Sequence, residues 1–321
     1  MEKTTHVLEQ TVGFDEIEPD EAKLQSRRLQ LYSKHALKVA LPIDRIFVNH
    51  SRFAGGLKML DRIFQIAPEV SMPQGSLLIG PTGSGKSALF KYFQNSLPKS
   101  SLFTPGFGAI GIRAGANPTT GGMINALLRV YKYPFRHGSA ATIASRIDIV
   151  FDLIREKGTR VVFIDEAHRL LNQKRRITGD DREPQATGFL RDLMDEGRTG
   201  LVLAGTDQLD RLVQVDSHLA DRLSGRQELR YFDPDKDWMG VLRAFKKQTL
   251  GFDLSLIEDT KEAKRLHVAT GGSLRRLKRL LTEAVLVGAD AGKRNLDLES
   301  LSIALIAIWG DDNFECNPYA E

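Results

Sequence analysis

Apolar and polar positions follow two different periods along the chain, and the place where one gives way to the other divides it. Between residue 43 and about residue 232, short apolar runs recur: Gly75 to Ile79 (GSLLI), Ala109 to Arg113 (AIGIR), Arg160 to Ile164 (RVVFI) and Gly200 to Ala204 (GLVLA). Each predicts a strand. Between them, Ser87 to Ser96, Gly122 to Tyr131 and Ala140 to Lys157 carry apolar residues at helical spacing. Apolar strands alternating with amphipathic helices predict an α/β fold, a parallel sheet flanked by helices on both faces. Beyond residue 233 the strand signals stop. Trp238 to Thr249, Thr260 to Ala269, Leu274 to Ala289 and Leu296 to Trp309 all read as helices, so a small all-helical domain is expected to follow. At the other end, Glu21 to Val39 reads as a helix that Pro42 terminates. The expected organisation is an N-terminal helical extension over 1–42, an α/β domain over 43–232, a helical domain over 233–310 and a tail over 311–321.

Composition narrows the class. Of the 321 residues, 41% are hydrophobic and 27% charged, which suits a globular protein and excludes a disordered or fibrous chain. Net charge is +4, a mild excess that permits a polyanionic partner without requiring one. One cysteine, Cys316, precludes a disulfide within the chain and fits a reducing, cytoplasmic compartment. Residues 1–20 lack the apolar core of a signal peptide, and the apolar stretch Leu301 to Trp309 is about half of what a membrane span needs, so no membrane partner is expected.

Candidate chemistry begins where the first strand ends. Gly80, Pro81, Thr82, Gly83, Ser84, Gly85, Lys86 and Ser87 match the phosphate-binding pattern G-x-x-x-x-G-K-[ST] in full, between an apolar strand and a helix, with Ala88 next in the helix. The glycines let the chain curl with its N–H groups inward, and the helix N-terminus adds a favourable dipole for anions. Lys86 is expected on the β- and γ-phosphates of ATP and Ser87 on Mg²⁺. The strand Arg160 to Ile164 then delivers Asp165 and Glu166. Such a pair suits a metal ligand (Asp165) followed by a residue that orients the attacking water (Glu166). The next strand ends in Thr206, a small polar group expected to touch the water or the γ-phosphate in such a fold, or else a plain strand-to-turn transition.

Two clusters of arginine follow. In SHLADRLSGR, Arg222 is the first candidate for an arginine finger acting on a neighbouring subunit, and Arg226 the second; the plainer alternative is a surface salt bridge. In GGSLRRLKRLL, Leu274, Leu277, Leu280 and Leu281 share one helical face, so Arg275 and Arg276 point elsewhere. One of them, Arg275 first, is expected to reach the nucleotide. Ile43 to Asn49 borders the adenine in this arrangement, or else belongs to the core.

Phosphate loop, acid pair, Thr-ended strand, finger arginine and Gly-Gly-x-x-Arg-Arg helix, in that order, resemble AAA+ ATPases of the initiator and DNA-transposition group. FIDEAHRLLN, LVLAGTDQLDRLVQVDSHLADRL and GGSLRRLKRLLTEAV are similar to the acid-pair region, sensor strand and lid helix of TniB/TnsC-type transposition ATPases. The resemblance covers roughly residues 40 to 290. It implies an ATP- and Mg²⁺-dependent regulator that forms homo-oligomeric rings or filaments on duplex DNA and activates a transposase, with hydrolysis driving disassembly. Relatives in CRISPR-associated transposons also contact a TniQ-type adaptor. The polar stretch Gln173 to Gln185 departs from the pattern.

DNA contact, if made, falls to Arg113 to Thr120 (RAGANPTT) or Lys174 to Thr178 (KRRIT), loops suited to phosphate rather than to base edges. Other classes fit less well. A replication initiator or loader is the main alternative and would favour a winged-helix domain after the lid, for which about 30 residues are too few. A peptide-remodelling ATPase needs an aromatic pore loop, and RAGANPTT has no aromatic. A metabolic kinase would not need the finger and the lid. The extension over 1–42 either packs on the main domain or docks a partner.

Overall fold

The structure, a computed structural model, describes residues 31–97, 107–134, 143–172, 186–310 and 317–319. The chain divides into two compact units. One comprises Val48–Val241 with Thr270–Leu277; the other comprises Met1–Phe47, Leu242–Ala269 and Lys278–Glu321.

The first unit is built on a five-stranded sheet of β1 (Ser76–Ile79), β2 (Ala109–Arg113), β3 (Val161–Asp165), β4 (Gly200–Gly205) and β5 (Gly225–Glu228). Their order across the sheet is β2-β3-β4-β1-β5, and every neighbouring pair is parallel. The parallel sheet and its helices match the expectation from the strand–helix alternation. β3 and β4 are buried almost throughout, which is why VVFI and GLVLA carry no polar alternation. Helices Lys86–Ser96, Thr120–Val130, Ile143–Lys157 and Ala186–Asp195 close the core with Leu89, Ile124, Leu127, Ile154 and Phe189. Phe90 stacks on Phe163 with ring centroids 4.3 Å apart. Gly111 makes that possible, because a Cβ there would lie 2.5 Å from the Phe90 ring.

β5 is a strand that the hydrophobic pattern does not predict. Its sequence, GRQE, is polar. It sits at the sheet edge, paired on one side with β1, and helix Ser51–Ile66 passes near it, with Gly55 against Gln227. Arg226 therefore lies on this strand, and the preceding helix stops at Arg222.

The second unit contains helix Lys34–Asp44, the later part of Lys236–Gln248, Thr260–Thr270 up to Ala269, most of Leu274–Asp290, and Leu298–Trp309. Phe245, Leu266, Leu280, Leu281, Ala284 and Leu301 are fully buried within it. Of the helix expected over Glu21 to Val39, residues 21–30 lie outside the described residues, and the rest differs from expectation at both ends. Residues 31–33 are not helical, and the helix starts at Lys34 because the Ser33 hydroxyl accepts the Ala36 N–H. Nor does Pro42 end it: the helix runs on to Asp44. So near the end, proline's missing N–H removes a single bond from the last turn. Ile43 and Ile46 are buried, so the plainer reading of that stretch, as core, holds for them. Tyr32 donates to Glu283, and Lys278 donates to the Asp44 carbonyl at 2.7 Å, tying this helix to Leu274–Asp290. Among the described residues no helix is long and apolar enough to cross a membrane.

Removing the ring that Phe90 stacks on would leave a cavity at the centre of the sheet. Phe163→Ala is expected to lower the unfolding free energy by about 3–5 kcal/mol, read from urea denaturation; a loss below about 1 kcal/mol would mean that the core refills the space.

Candidate active site

The site forms where β1, β4 and β3 end side by side. Past β1 the chain enters the turn Gly80–Ser87, held to β4 by the Gly80 N–H donating to the Gly205 carbonyl at 3.0 Å. Gly80 can carry no side chain: a Cβ would fall 2.1 Å from the Leu229 carbonyl oxygen. Gly83 and Gly85 have φ of 84° and 102°, which reverses the curl of the chain and starts the helix at Lys86. Lys86 is buried, and its Nζ donates to the carbonyls of Gly80 at 2.6 Å and Pro81 at 3.0 Å. Burial pushes the ammonium below the usual lysine range and Arg275 adds to this, against the pull of Asp165 and Glu166.

Ser87 donates from Oγ to Asp165 Oδ2 at 2.5 Å, joining the turn to the acid pair. Glu166 has φ of 56°, a left-handed backbone that a glutamate rarely adopts. Asp165 helps hold it there by accepting the Glu166 N–H at 2.9 Å. The Glu166 carboxylate faces Arg169 Nη2 at 3.6 Å and His168 Nε2 at 3.8 Å. Arg169 also donates to the Ala114 carbonyl at 3.1 Å, at the end of β2.

Three buried polar atoms here lack a hydrogen-bond partner among the described residues: Ser84 Oγ after β1, His168 Nδ1 after β3 and Thr206 Oγ1 after β4. Each unpaired group costs about 1–3 kcal/mol. Three of them at one edge of a parallel sheet leave room for a polar ligand to supply partners. The crevice beyond the carboxyl ends of parallel strands is also the usual ligand site of such sheets. Among the described residues no group of three or more His, Cys, Asp or Glu side chains can hold a metal by itself. A cation here would therefore take Ser87, Asp165 and oxygens of the ligand, which is how Mg²⁺ is commonly held beside phosphates.

The structure separates the arginine candidates. Arg275 lies across the turn: a Cβ on Gly83 would be 3.2 Å from the Arg275 side chain. Arg276 is near Gly271 instead. Arg222 is not at this edge. Its carbonyl accepts the Gly75 N–H at 2.8 Å, just before β1, and its guanidinium pairs with Asp195. Five residues of extended chain, about 16 Å, separate that edge from Gly80. Arg226 is exposed and paired with Asp210 and Glu228. In the loop Arg113 to Thr120, Arg113 and residues 115–117 are exposed, whereas Thr119 caps the next helix by accepting the Gly122 N–H at 3.1 Å and Thr120 is buried. Lys174 to Thr178 and the stretch 173–185 lie outside the described residues.

A family model described as bacterial TniB protein matches residues 41–231. The chain belongs to the TniB family. The matched span of this TniB-family chain holds the turn, the acid pair, Thr206 and Arg222. No curated protein matches it. Among solved structures, the Aeropyrum pernix ORC1 protein in complex with DNA is similar with a TM-score of 0.63 and 17% identity, covering 88% of this chain and 72% of that one. The A. pernix ORC2 protein in its ADPNP–ADP complexes gives a TM-score of 0.61 at 14% identity, covering 82% and 71%. Drosophila ORC bound to DNA gives 0.55 at 16%, covering 88% and 68%. At such identities the likeness is one of fold: a parallel five-stranded AAA+ sheet flanked by helices, with a helical C-terminal region.

Sequence reasoning did not single out His168, Arg169 or Tyr231. The first two follow the acid pair after a single alanine, in AHRLLN, a position that could have drawn attention. Tyr231 carries no local signal.

The unpaired Thr206 hydroxyl has a measurable consequence. Without nucleotide, Thr206→Val is expected to be as stable as the wild type, or more stable by up to about 1–2 kcal/mol in urea denaturation. A loss of stability beyond about 1 kcal/mol would show that the hydroxyl has a partner in the free protein.

Proposed function

We propose that this TniB-family chain is an ATPase that regulates DNA transposition: it binds ATP, assembles with further copies of itself on duplex DNA and activates a transposase, with hydrolysis returning it to the free state. The observation that carries the ATPase reading is the Ser87–Asp165 hydrogen bond of 2.5 Å, which puts the two halves of a metal–phosphate site in contact. Transposition is favoured by membership of the TniB family.

On this reading the N–H groups of Gly80–Ser87 and the start of the Lys86–Ser96 helix cradle the phosphates, with Ala88 beside them. Lys86, already beside the turn, exchanges its carbonyl partners for phosphate oxygens. Ser87 and Asp165 would hold Mg²⁺, which would offset the negative charge of the phosphates. Glu166 orients and polarises the water, and Thr206 gives its unpaired hydroxyl to that water or to the γ-phosphate. Arg275 reaches the phosphates across Gly83, with Arg276 the second candidate. Arg222 stands at the wrong edge of the sheet for its own nucleotide and serves a neighbouring copy, once released from Asp195. Contacts to DNA go to its backbone through the loop after β2, and a TniQ-type adaptor is a further partner. The work is done in the cytoplasm.

A second reading, an initiator or loader of replication, is favoured by the likeness to the ORC1 and ORC2 proteins. Activity on DNA with a transposase present, against activity with replication proteins, separates the two.

Mixing Lys86→Ala with Arg222→Ala protein is expected to restore part of the hydrolysis that each lacks alone, since a mixed oligomer contains sites with an intact turn and an intact finger. If the mixture stays as inactive as its components, Arg222 does not act between copies. Glu166→Gln is expected to bind ATP with near wild-type affinity and to turn it over at least about 100-fold more slowly; unchanged turnover would remove Glu166 from the chemistry.

A further inference from the structure

We propose that Tyr231 is a positioning residue that presets the phosphate-binding turn, aiming the Gly83 N–H into it before any nucleotide arrives. The inference rests on the nucleotide-site reading above and adds a residue to it.

The Tyr231 hydroxyl donates to the Thr82 carbonyl at 2.7 Å. Lys86 takes the two preceding carbonyls, of Gly80 and Pro81, so those face the lysine, whereas that of Thr82 is turned to the phenol. In a planar trans peptide the C=O and the following N–H point in opposite directions. Cis peptide bonds are absent among the described residues. Drawing the Thr82 oxygen toward Tyr231 therefore turns the Gly83 N–H away from the phenol. Gly83 and Gly85 give the turn its freedom, with φ of 84° and 102°, and that same freedom allows the peptide plane to rotate the wrong way. One hydrogen bond to its carbonyl selects the orientation that an anion needs.

The phenol is held in place for this. Leu229 donates to the Ile79 carbonyl at 2.8 Å, carrying the β5–β1 pairing to the start of the turn. Arg52 donates to the Tyr231 carbonyl at 3.0 Å. Phe232, next in the chain, is buried and donates to the Gly272 carbonyl at 3.0 Å. Four residues, 229–232, thus connect the end of β1, the tip of the turn and the Gly-Gly corner from which Arg275 extends over Gly83.

The test uses the full chain, a fluorescent ADP analogue and two competitors, inorganic pyrophosphate and adenosine. Tyr231→Phe keeps the ring and removes only the donor. Because the hydrogen bond is open to water, its inhibition constant for pyrophosphate is expected to rise about two- to fivefold, at the lower end of the range for a net hydrogen bond. The constant for adenosine should stay at the wild-type value. An unchanged constant for pyrophosphate, or an equal weakening of both competitors, overturns the proposal, because a residue that merely packs would give one or the other. Failure of the wild type to bind the ADP analogue is a separate result: it overturns the nucleotide-site reading and takes this inference with it.

Discussion

β4 is hydrogen-bonded to β1 on one side and to β3 on the other, and the geometry of the site follows from that placement. Neighbouring strands lie about 4.8 Å apart, so the ends of β1 and β3 are held about 10 Å apart. That is too far for their backbones to meet and close enough for side chains to do so, as Ser87 and Asp165 show. Parallel pairing brings all three carboxyl ends to one edge, where β4 contributes Thr206 between the turn and the acids. Gly205, the last residue of β4, accepts the Gly80 N–H and so keeps the turn in register with the acid pair.

The crevice so formed is locally unfavourable. Ser84, His168 and Thr206 keep buried polar atoms without partners, and Glu166 sits in a left-handed conformation. Elsewhere in the same unit apolar strands, amphipathic helices and a stacked Phe90–Phe163 pair form the core, although His50 Nδ1 and Arg191 Nε are also buried without hydrogen-bond partners among the described residues, and Lys132 and Arg198 are also left-handed. What sets the crevice apart is that three such atoms and a left-handed glutamate meet at the carboxyl ends of neighbouring parallel strands, where a polar ligand would find partners.

The candidate groups lie at opposite edges of the sheet. The turn and the acids lie at the carboxyl edge, while Arg222 is anchored at Gly75, before β1 begins. Its partner in the free chain is Asp195. The salt-bridge alternative considered from sequence thus describes the isolated protein, and it leaves the role between copies to the experiment on mixed variants.

Much of this was legible in the sequence for a physical reason. A turn that reverses handedness twice needs glycine at set positions, a strand buried on both faces must be apolar throughout, and both leave marks in consecutive residues. GPTGSGKS and RVVFIDE could therefore be placed on their elements without coordinates. What stayed hidden depends on residues far apart in the chain. GRQE is a strand because β1 offers it an edge, not because of its own residues. Helix Lys34–Asp44 passes through Pro42 because only its last turn remains to be completed. The pattern ranks Arg275 before Arg276 but leaves both open, and the packing against Gly83 puts Arg275 beside the turn. Tyr231 becomes visible only when the chain after β5 is laid beside the turn. Local conformational needs are written in neighbouring residues; the choice of which distant groups meet is made by the packing of the sheet and its helices.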